Sequence, residues 1–382
     1  MKLSKSIKVL GAVIAVAVLA APSAVAAVSL TGAGSTFAGP LIEACKAGYS
    51  TSSGGNTFTY GLGGSGAGRT ASDKQTSLVN FSDTPHAAAR EGVIHVPVIA
   101  GPIAVMYKIG NNKALYLSPA TVAGIFGGTI TKWNDPKIIA DNNRSVNETI
   151  FKTDGQGRDV KSADGKPIIL KEVKRNIRYT FPDKAIKVIY RSDSSGTSGA
   201  FTAALNGLAP EVWTKAGNNS FTTSFPGNIN DVANLGRVVG ASGSAAVTAL
   251  AAKTPYSITY AESSFAGANG LAIANIKNTA GNWQAPTSSG VSAFLGDSTL
   301  STSGIVTYNY KTTDAGAYVF GTVTYGLVDT KQKDAETAKA VKELLTYLLD
   351  PKCPNTNPGL EYTTIVGKFR DADLALIAKI TA

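Results

Sequence analysis

Two kinds of hydrophobic pattern alternate along the chain. Short runs rich in Val, Ile, Thr and Tyr predict strands at residues 57–60, 92–99, 103–107, 185–190, 257–260 and 318–325. Stretches with helically spaced apolar residues predict helices at 40–49, 119–126, 198–205, 245–252 and 335–349. Strands that alternate with helices in this way are typical of an α/β fold with largely parallel sheets.

One segment, residues 141–183, breaks this pattern. It is polar, punctuated by Gly and Asp, and dense in Lys and Arg, which predicts a charged excursion that folds as a hairpin. No linker divides the chain in two. We therefore expect two domains that share the chain discontinuously: residues 27–102 plus 318–382 form domain 1, and residues 103–317 form domain 2.

Residues 1–26 have the composition of a secretory signal peptide. Three lysines precede an apolar stretch from Val9 to about Ala21, and small residues at 24–26 supply a cleavage pattern. A membrane anchor is the alternative, but the stretch is shorter than the ~20 residues that a spanning helix needs. We expect a periplasmic or secreted protein whose mature chain has no transmembrane segment.

Composition and charge narrow the classes of protein further. Charged residues make up only 16% of the 382 residues, against about 25% in typical domains, and the chain contains 40 Gly. A charge-rich disordered chain and a long coiled coil are both excluded. The net charge of +10 says little about a ligand, because a dozen Lys and Arg cluster between Arg144 and Arg191.

The mature chain has two cysteines, Cys45 and Cys353. An exported protein meets oxidising conditions, so the two thiols can pair as one disulfide. That disulfide would join the N-terminal region to the C-terminal region. Two separate buried thiols are the alternative, and the spacing alone leaves both open.

Three segments share the order strand, Gly/Ser/Thr-rich turn and helix: residues 31–37, 61–66 and 191–197. The first N–H groups of a helix have no internal acceptors and lie at the positive end of its dipole, which makes them a natural anion site. Ser and Thr are also ordinary helix caps, so one such turn is weak evidence of a site. Three of them, one led by Arg191, predict an oxyanion site.

Other kinds of site find little support in the residues. Residues 61–66 match a dinucleotide-binding glycine pattern, but the helix that follows is too polar to pack under a sheet. His86 and His95 form no helical metal pair, and Ser195 as a nucleophile would need His86 from a distant segment. We predict no catalytic residues, metal or cofactor. The basic excursion interleaves its cations with acids, so we expect no nucleic-acid binding.

At these turns the chain resembles the exported phosphate-binding proteins of bacterial phosphate ABC transporters. The resemblance runs from Leu30 to the C-terminus and rests on residues 31–37, 61–66, 82–85 and 191–198, together with 126–130 and 133–136. It implies a two-domain periplasmic-binding-protein fold of type II, with two crossover strands and a ligand cleft between the domains. It also implies a monomer that is not an enzyme, captures inorganic phosphate and delivers it to ABC transporter permease subunits.

The resemblance also assigns phosphate contacts along the chain. Donors from the first domain would be Ser35, Thr36, Phe37 and either Gly64 or Ser65, and Asp83 would be the acceptor. Arg191 would be the cationic donor, oriented by Asp193, and the second domain would add Ser195, Gly196 and Thr197. The family has serine where this chain has Gly64, which puts one hydroxyl contact in doubt.

Elementary chemistry supports these roles. Phosphate keeps at least one proton near neutral pH, whereas an ionised Asp83 can only accept hydrogen bonds and would repel sulfate. Arg191 offers two parallel, charge-assisted bonds to a tetrahedral oxyanion. The alternatives are a secreted phosphatase with the same anion cradle, a binder of another oxyanion such as sulfate, molybdate or a phosphonate, and a surface adhesin.

Overall fold

The computed structural model of the protein describes residues 27–110 and 114–382, so the predicted signal peptide lies outside the described residues. The strands are β1 (Ser29–Gly34), β2 (Thr57–Leu62), β3 (Asn80–Ser82), β4 (Val93–Lys108), β5 (Tyr116–Leu117), β6 (Arg144–Phe151), β7 (Ile169–Ile177), β8 (Lys187–Arg191), β9 (Val238–Ala241), β10 (Ser257–Glu262), β11 (Ala272–Ile273), β12 (Asn275–Lys277), β13 (Trp283–Gln284), β14 (Thr299–Leu300), β15 (Val306–Thr307) and β16 (Gly321–Asp329).

Helices follow most of the longer strands. They are α1 (Gly39–Ser52), α2 (Gly64–Asp73), α3 (Pro119–Phe126), α4 (Pro136–Asn142), α5 (Gly196–Leu208), α6 (Phe221–Ser224), α7 (Ser244–Lys253), α8 (Ser264–Asn269), α9 (Ser288–Gly296), α10 (Ala335–Leu348), α11 (Lys352–Asn355) and α12 (Gly367–Ala378). Each of the five helices predicted from the sequence is present. In the described part of the chain, no helix has the length and apolar character needed to cross a membrane.

The main sheet has the strand order β2-β1-β3-β16-β4-β10-β8-β9, with β11 added beside β4. We call β1, β2, β3 and β16 the first half of this sheet and β8, β9 and β10 the second half. Strand β4 belongs to both, because Val93–Pro102 pairs with β16 and Ile103–Lys108 pairs with β10. The chain thus passes between the halves in a continuous strand.

The sequence predicts two strands, at 92–99 and 103–107, where the structure has the single strand β4. Gly101 and Pro102 lie in the gap between the two predicted strands, and a proline cannot donate to a sheet ladder and usually ends a strand. Pro97 lies opposite Tyr325, where the register with β16 shifts by one residue. An irregularity of this kind accommodates a residue that has no N–H group.

Parallel pairing sets the position of the predicted turns. Strands β1, β2 and β3 run parallel in the first half, and β8, β9 and β10 run parallel in the second. The carboxyl ends of parallel strands lie at the same edge of a sheet. The turns into α1 and α2 therefore share one edge, and so do the turns into α5 and α7.

The charged excursion contains an antiparallel hairpin, as predicted. Strands β6 and β7 pair from Arg144 opposite Ile177 to Phe151 opposite Ile169, and they form a sheet of their own. We call residues 144–177 the arm. Where it leaves the fold, the Arg144 guanidinium lies 3.4 Å from the centre of the Tyr116 ring.

Cys45 of α1 and Cys353 of α11 form a disulfide, with their Cα atoms 5.5 Å apart. The structure thus has the pairing rather than two separate thiols. The bond links residues that are 308 positions apart. A disulfide that closes a loop of this length stabilises the protein mainly by restricting the unfolded chain.

Asp373 is a buried carboxyl group in α12 whose two oxygens have no hydrogen-bond partner among the described residues. Burial raises the pKa of Asp373 to about 8. The unfolded chain ionises this group near pH 4, as an ordinary Asp does. The contribution of Asp373 to the free energy of unfolding is therefore fully present below about pH 4, and it falls as the pH rises towards about 8.

Between about pH 5 and about pH 8 the free energy of unfolding of the wild type should fall. We expect the fall in Asp373→Asn to be smaller by about 1 kcal/mol or more. Urea denaturation at the two pH values measures the difference. Asp371→Asn is the matched control, because Asp371 is exposed on the same helix. Equal pH dependence in the wild type and Asp373→Asn would contradict the prediction.

Candidate anion-binding site

All three predicted turns come together where the two halves of the sheet meet. An ideal Cβ atom on Gly196 would lie 2.4 Å from the Ser65 hydroxyl oxygen, and one on Gly64 would lie 2.5 Å from a carboxylate oxygen of Asp193. The Thr36 hydroxyl lies 3.0 Å from that of Ser244. Backbone and side chains from both halves are therefore in direct contact.

The Arg191 guanidinium is buried and fixed by several hydrogen bonds. Its Nε and Nη2 atoms donate to the two carboxylate oxygens of Asp193, at 2.7 and 2.5 Å. Its Nη1 atom donates to the Ser244 hydroxyl oxygen at 3.1 Å. A guanidinium has five N–H donors. These contacts use three of them.

Asp193 is suited to orient Arg191. Burial acts to raise the pKa of Asp193, but the hydrogen bonds and positive charge of Arg191 outweigh it, so the pKa lies below its usual range. The Gly243 N–H also donates to Asp193 Oδ1, at 3.0 Å. The carboxylate therefore stays ionised and holds the arginine in one orientation.

Asp83 follows β3 and is 2% exposed. Its Oδ2 atom accepts hydrogen bonds from the hydroxyl groups of Thr197, at 2.9 Å, and Ser65, at 3.4 Å, and its Oδ1 atom accepts one from Thr324 at 2.8 Å. Ser35 adds a further hydroxyl group to this shell. An ionised carboxylate can only accept hydrogen bonds, so Asp83 is a pure acceptor at the centre of these donors.

Two opposing effects act on the pKa of Asp83. Burial, the larger effect, raises it, while hydrogen bonds from hydroxyl groups such as Ser35 and Thr324 and the charge of Arg191 lower it. The net result is a raised pKa. Burial thus makes the ionised form of Asp83 energetically costly, and the neighbouring hydroxyl donors and the Arg191 cation stabilise that form.

The structure explains why position 64 is a glycine. Gly64 has a φ of +80°, which favours glycine, and a Cβ atom there would meet the Asp193 carboxylate. The neighbouring Ser65 turns its hydroxyl towards Asp83, accepting a hydrogen bond from the Asp83 N–H at 3.1 Å. A serine side chain at position 64 would not fit, and Ser65 supports the acceptor instead.

The first turn bridges the two halves. The Thr36 hydroxyl oxygen accepts a hydrogen bond from the Ser244 N–H at 3.2 Å. The Ser35 hydroxyl oxygen accepts one from the Ala38 N–H at 3.1 Å, which supports the start of α1. Phe37 is fully buried, and its carbonyl accepts a hydrogen bond from a tyrosine hydroxyl. Hydrogen bonds from both halves therefore hold the first turn in place.

The third turn begins α5. The Ser195 hydroxyl accepts a hydrogen bond from the Ser198 N–H at 3.1 Å, as a helix cap does, and its own proton stays free to donate. The ring of His86 is hydrogen-bonded to Asp73 at 2.9 Å, so the geometry offers no support for Ser195 as a nucleophile activated by His86. In the described ranges, no group of three or more His, Cys, Asp and Glu side chains is arranged to hold a metal ion.

A fourth turn, between β9 and α7, was not predicted from the sequence. It brings Ser244 to Arg191 and Thr36, and it brings the Gly243 N–H to Asp193. The signal was present, since residues 238–244 also run from a strand through Ser and Gly into a helix. Tyr260 was not predicted either, and its hydroxyl oxygen accepts a hydrogen bond from the backbone N–H of Arg191 at 3.3 Å.

Further contacts join the two halves beside the site. The Arg69 guanidinium donates to the hydroxyl oxygens of Thr84 and Ser194, each at 3.1 Å. The Gly66 N–H donates to the Ser194 carbonyl at 2.8 Å. Thr84 and Ser194 lie on opposite sides of the meeting point. The halves are therefore closed on each other.

Comparison with known proteins places this geometry in context. A family model described as a PBP superfamily domain matches residues 20–352. Phosphate-binding protein PstS2 of Mycobacterium bovis is 32% identical over 343 residues, covering 84% of this chain and 79% of the relative. Phosphate-binding protein PstS of Methanocaldococcus jannaschii is 28% identical over 311 residues, covering 76% and 70%.

Among solved structures, a phosphate-binding protein from Stenotrophomonas maltophilia superposes with a TM-score of 0.61 at 16% identity. The match covers 91% of this chain and 94% of that one. At this identity the similarity shows a shared fold alone. It confirms the predicted α/β class of fold.

Proposed function

Because the chain belongs to the PstS phosphate-binding proteins of the PBP superfamily, we propose that it captures inorganic phosphate with high affinity and delivers it to the permease subunits of an ABC importer. The protein acts outside the cytoplasm, in the periplasm or as a secreted protein, and works as a monomer. It binds its ligand without transforming it, so we assign it no catalytic activity.

The observation that carries this proposal is the pairing of one oriented cation with one buried acceptor. Three of the five N–H groups of Arg191 donate to Asp193 and Ser244, which leaves two for a ligand, and Asp83 is a buried carboxylate that can only accept hydrogen bonds. An anion that both accepts and donates satisfies both residues at once. Phosphate does so near neutral pH, whereas sulfate has no proton to offer Asp83.

Ligand capture takes place between two domains in this proposal. Domain 1 consists of residues 27–102 and 318–382, and domain 2 of residues 103–317. The ligand contacts are Ser35, Thr36, Phe37, Gly64 or Ser65, Asp83, Arg191, Ser195, Gly196 and Thr197. At position 64 only the backbone can contribute, since the conformation of Gly64 leaves no space for a side chain. Donors from both domains make binding favour closure of the cleft.

A ligand panel tests the proposal. Thermal unfolding is recorded with phosphate, sulfate, molybdate and a phosphonate, because a bound ligand stabilises the fold by mass action. We expect phosphate alone to raise the unfolding temperature at low concentration. An equal rise with sulfate would identify a different oxyanion binder, and turnover of a chromogenic phosphate ester would identify an enzyme.

Gly64→Ser is expected to weaken phosphate binding by about tenfold or more. The new side chain would press on the Asp193 carboxylate and adopt a strained backbone conformation, so Arg191 would lose its orientation. Titration calorimetry measures the loss. Gly61→Ser is the matched control, since a Cβ atom there meets its nearest neighbours at 3.8 Å. Unchanged affinity in Gly64→Ser would contradict this role for the glycine.

Ser244→Ala is expected to speed phosphate dissociation by about tenfold, because the variant removes hydrogen bonds to Arg191 and Thr36 that hold the cleft closed. Stopped-flow measurements separate this effect from the association rate, which we expect to change little. Ser244→Thr should restore slow dissociation, and Ser242→Ala, at an exposed serine two residues away, should match the wild type. A dissociation rate unaffected by Ser244→Ala would contradict the role.

A further inference from the structure

The arm, residues 144–177, is exposed on both faces. Along β7, seven of the nine residues are exposed, and the others are only partly buried. Strand β6 has four exposed residues and no buried one. A two-stranded ribbon without a packed face is marginally stable at best in water. The arm therefore has surfaces to offer a partner on both sides.

Near its tip the arm widens to three short segments. The Lys152 N–H donates to the Ile168 carbonyl, the Ile168 N–H to the Val160 carbonyl and the Val160 N–H to the Lys152 carbonyl, at 2.7 to 2.9 Å. Two turns with left-handed glycines, Gly157 and Gly165, connect them. These bonds give the tip a defined shape.

Large apolar side chains are exposed beside this tip. Phe151 is 37% exposed, Ile169 is 56% exposed and Leu170 is 60% exposed. Phe151 and Ile169 are direct partners across the hairpin, so they share a face. Ile168, which is 36% exposed, precedes Ile169 in an extended segment, so its side chain points to the opposite face. Each face of the thin ribbon therefore presents exposed apolar side chains beside the tip.

The arm carries a net positive charge. Residues 144–177 contain eight Lys and Arg against five Asp and Glu. Lys152, Lys161, Lys166 and Lys171 surround the apolar side chains, and all four are exposed. Lysine beside exposed Phe, Ile and Leu is the combination that binds the interface of an anionic membrane.

We propose that the arm docks the protein on an anionic phospholipid membrane, with its tip in the headgroup region. Charge complementarity favours a negatively charged surface. The two-sided apolar tip favours lipid over a protein, because a protein surface covers one face of a ribbon and a membrane interface surrounds both. Backbone groups at the edges of the tip stay hydrated at headgroup depth. This docking is independent of phosphate capture.

Vesicle flotation of the protein tests the proposal. We expect the protein to float with vesicles of phosphatidylglycerol and phosphatidylcholine and not with phosphatidylcholine alone. The triple variant Phe151→Ser/Ile169→Ser/Leu170→Ser should lose about tenfold or more of the binding. Lys152→Glu/Lys171→Glu should also weaken it, and high salt should weaken wild-type binding.

A matched control is Val232→Ser/Leu235→Ser, at apolar side chains that are 83% and 66% exposed on another part of the surface. This variant should float like the wild type. All variants should bind phosphate like the wild type, which shows that they fold. Protein that stays in the supernatant with anionic vesicles overturns the proposal, whatever other partner the arm then has. Flotation that the arm variants leave unchanged overturns it as well.

Discussion

Arg191→Ala is expected to weaken phosphate binding by about a hundredfold to a thousandfold. The guanidinium is 2% exposed and supplies the proposed cationic donor, so its loss removes the ligand's charge partner and leaves the Asp193 carboxylate unpaired. Losing one partner of a buried, hydrogen-bonded charge pair costs about 2–5 kcal/mol. Titration calorimetry with phosphate measures the change in affinity.

Two variants separate this role from a general effect of charge. Arg191→Lys keeps the charge but loses the planar fork, so it should bind phosphate with intermediate affinity. Arg90→Ala removes a partly exposed arginine that pairs with Asp329 at 2.8 Å, and it should bind like the wild type. If Arg191→Ala binds phosphate nearly as well as the wild type, Arg191 is not the ligand's cationic partner.

Asp83→Asn is expected to abolish most of the preference for phosphate over sulfate. A site with a buried group that requires a ligand proton can reject the unprotonated analogue by a factor of about 10⁴. The asparagine amide can donate to sulfate, so we expect this ratio to fall by at least about a hundredfold. Competition titrations with the two anions measure the ratio.

Asp73→Asn is the control for this experiment, because Asp73 is partnered by His86. Its selectivity should equal that of the wild type. The pH dependence gives a second readout. Since burial raises the pKa of Asp83, lowering the pH protonates it earlier than an ordinary Asp, and the rejection of sulfate should relax. An Asp83→Asn variant that still rejects sulfate would refute this role.

The turns could be predicted from the sequence because their chemistry is local. Each consists of a strand, a run of Gly, Ser or Thr and a helix, and the same order made residues 31–37, 61–66 and 191–197 recognisable. Parallel pairing of the strands then brings their ends to common edges. The alternation of strands and helices was sufficient to predict the α/β class of fold, which the comparison with solved structures confirms.

Long-range contacts could not be predicted in the same way. Thr324 hydrogen-bonds Asp83 from a position 241 residues away, and Ser244 reaches Thr36 across 208 residues. Neither residue belongs to a motif that identifies its partner. A Cβ atom on Gly64 would also meet Asp193, which comes from the other half of the sheet. Such features depend on how the elements pack.

Titration calorimetry of the wild-type protein with inorganic phosphate and with sulfate is the direct test of selective phosphate binding. We expect one phosphate to bind each chain tightly and sulfate to produce no binding heat at the same concentration. Absence of phosphate binding, or equal binding of the two anions, would contradict it.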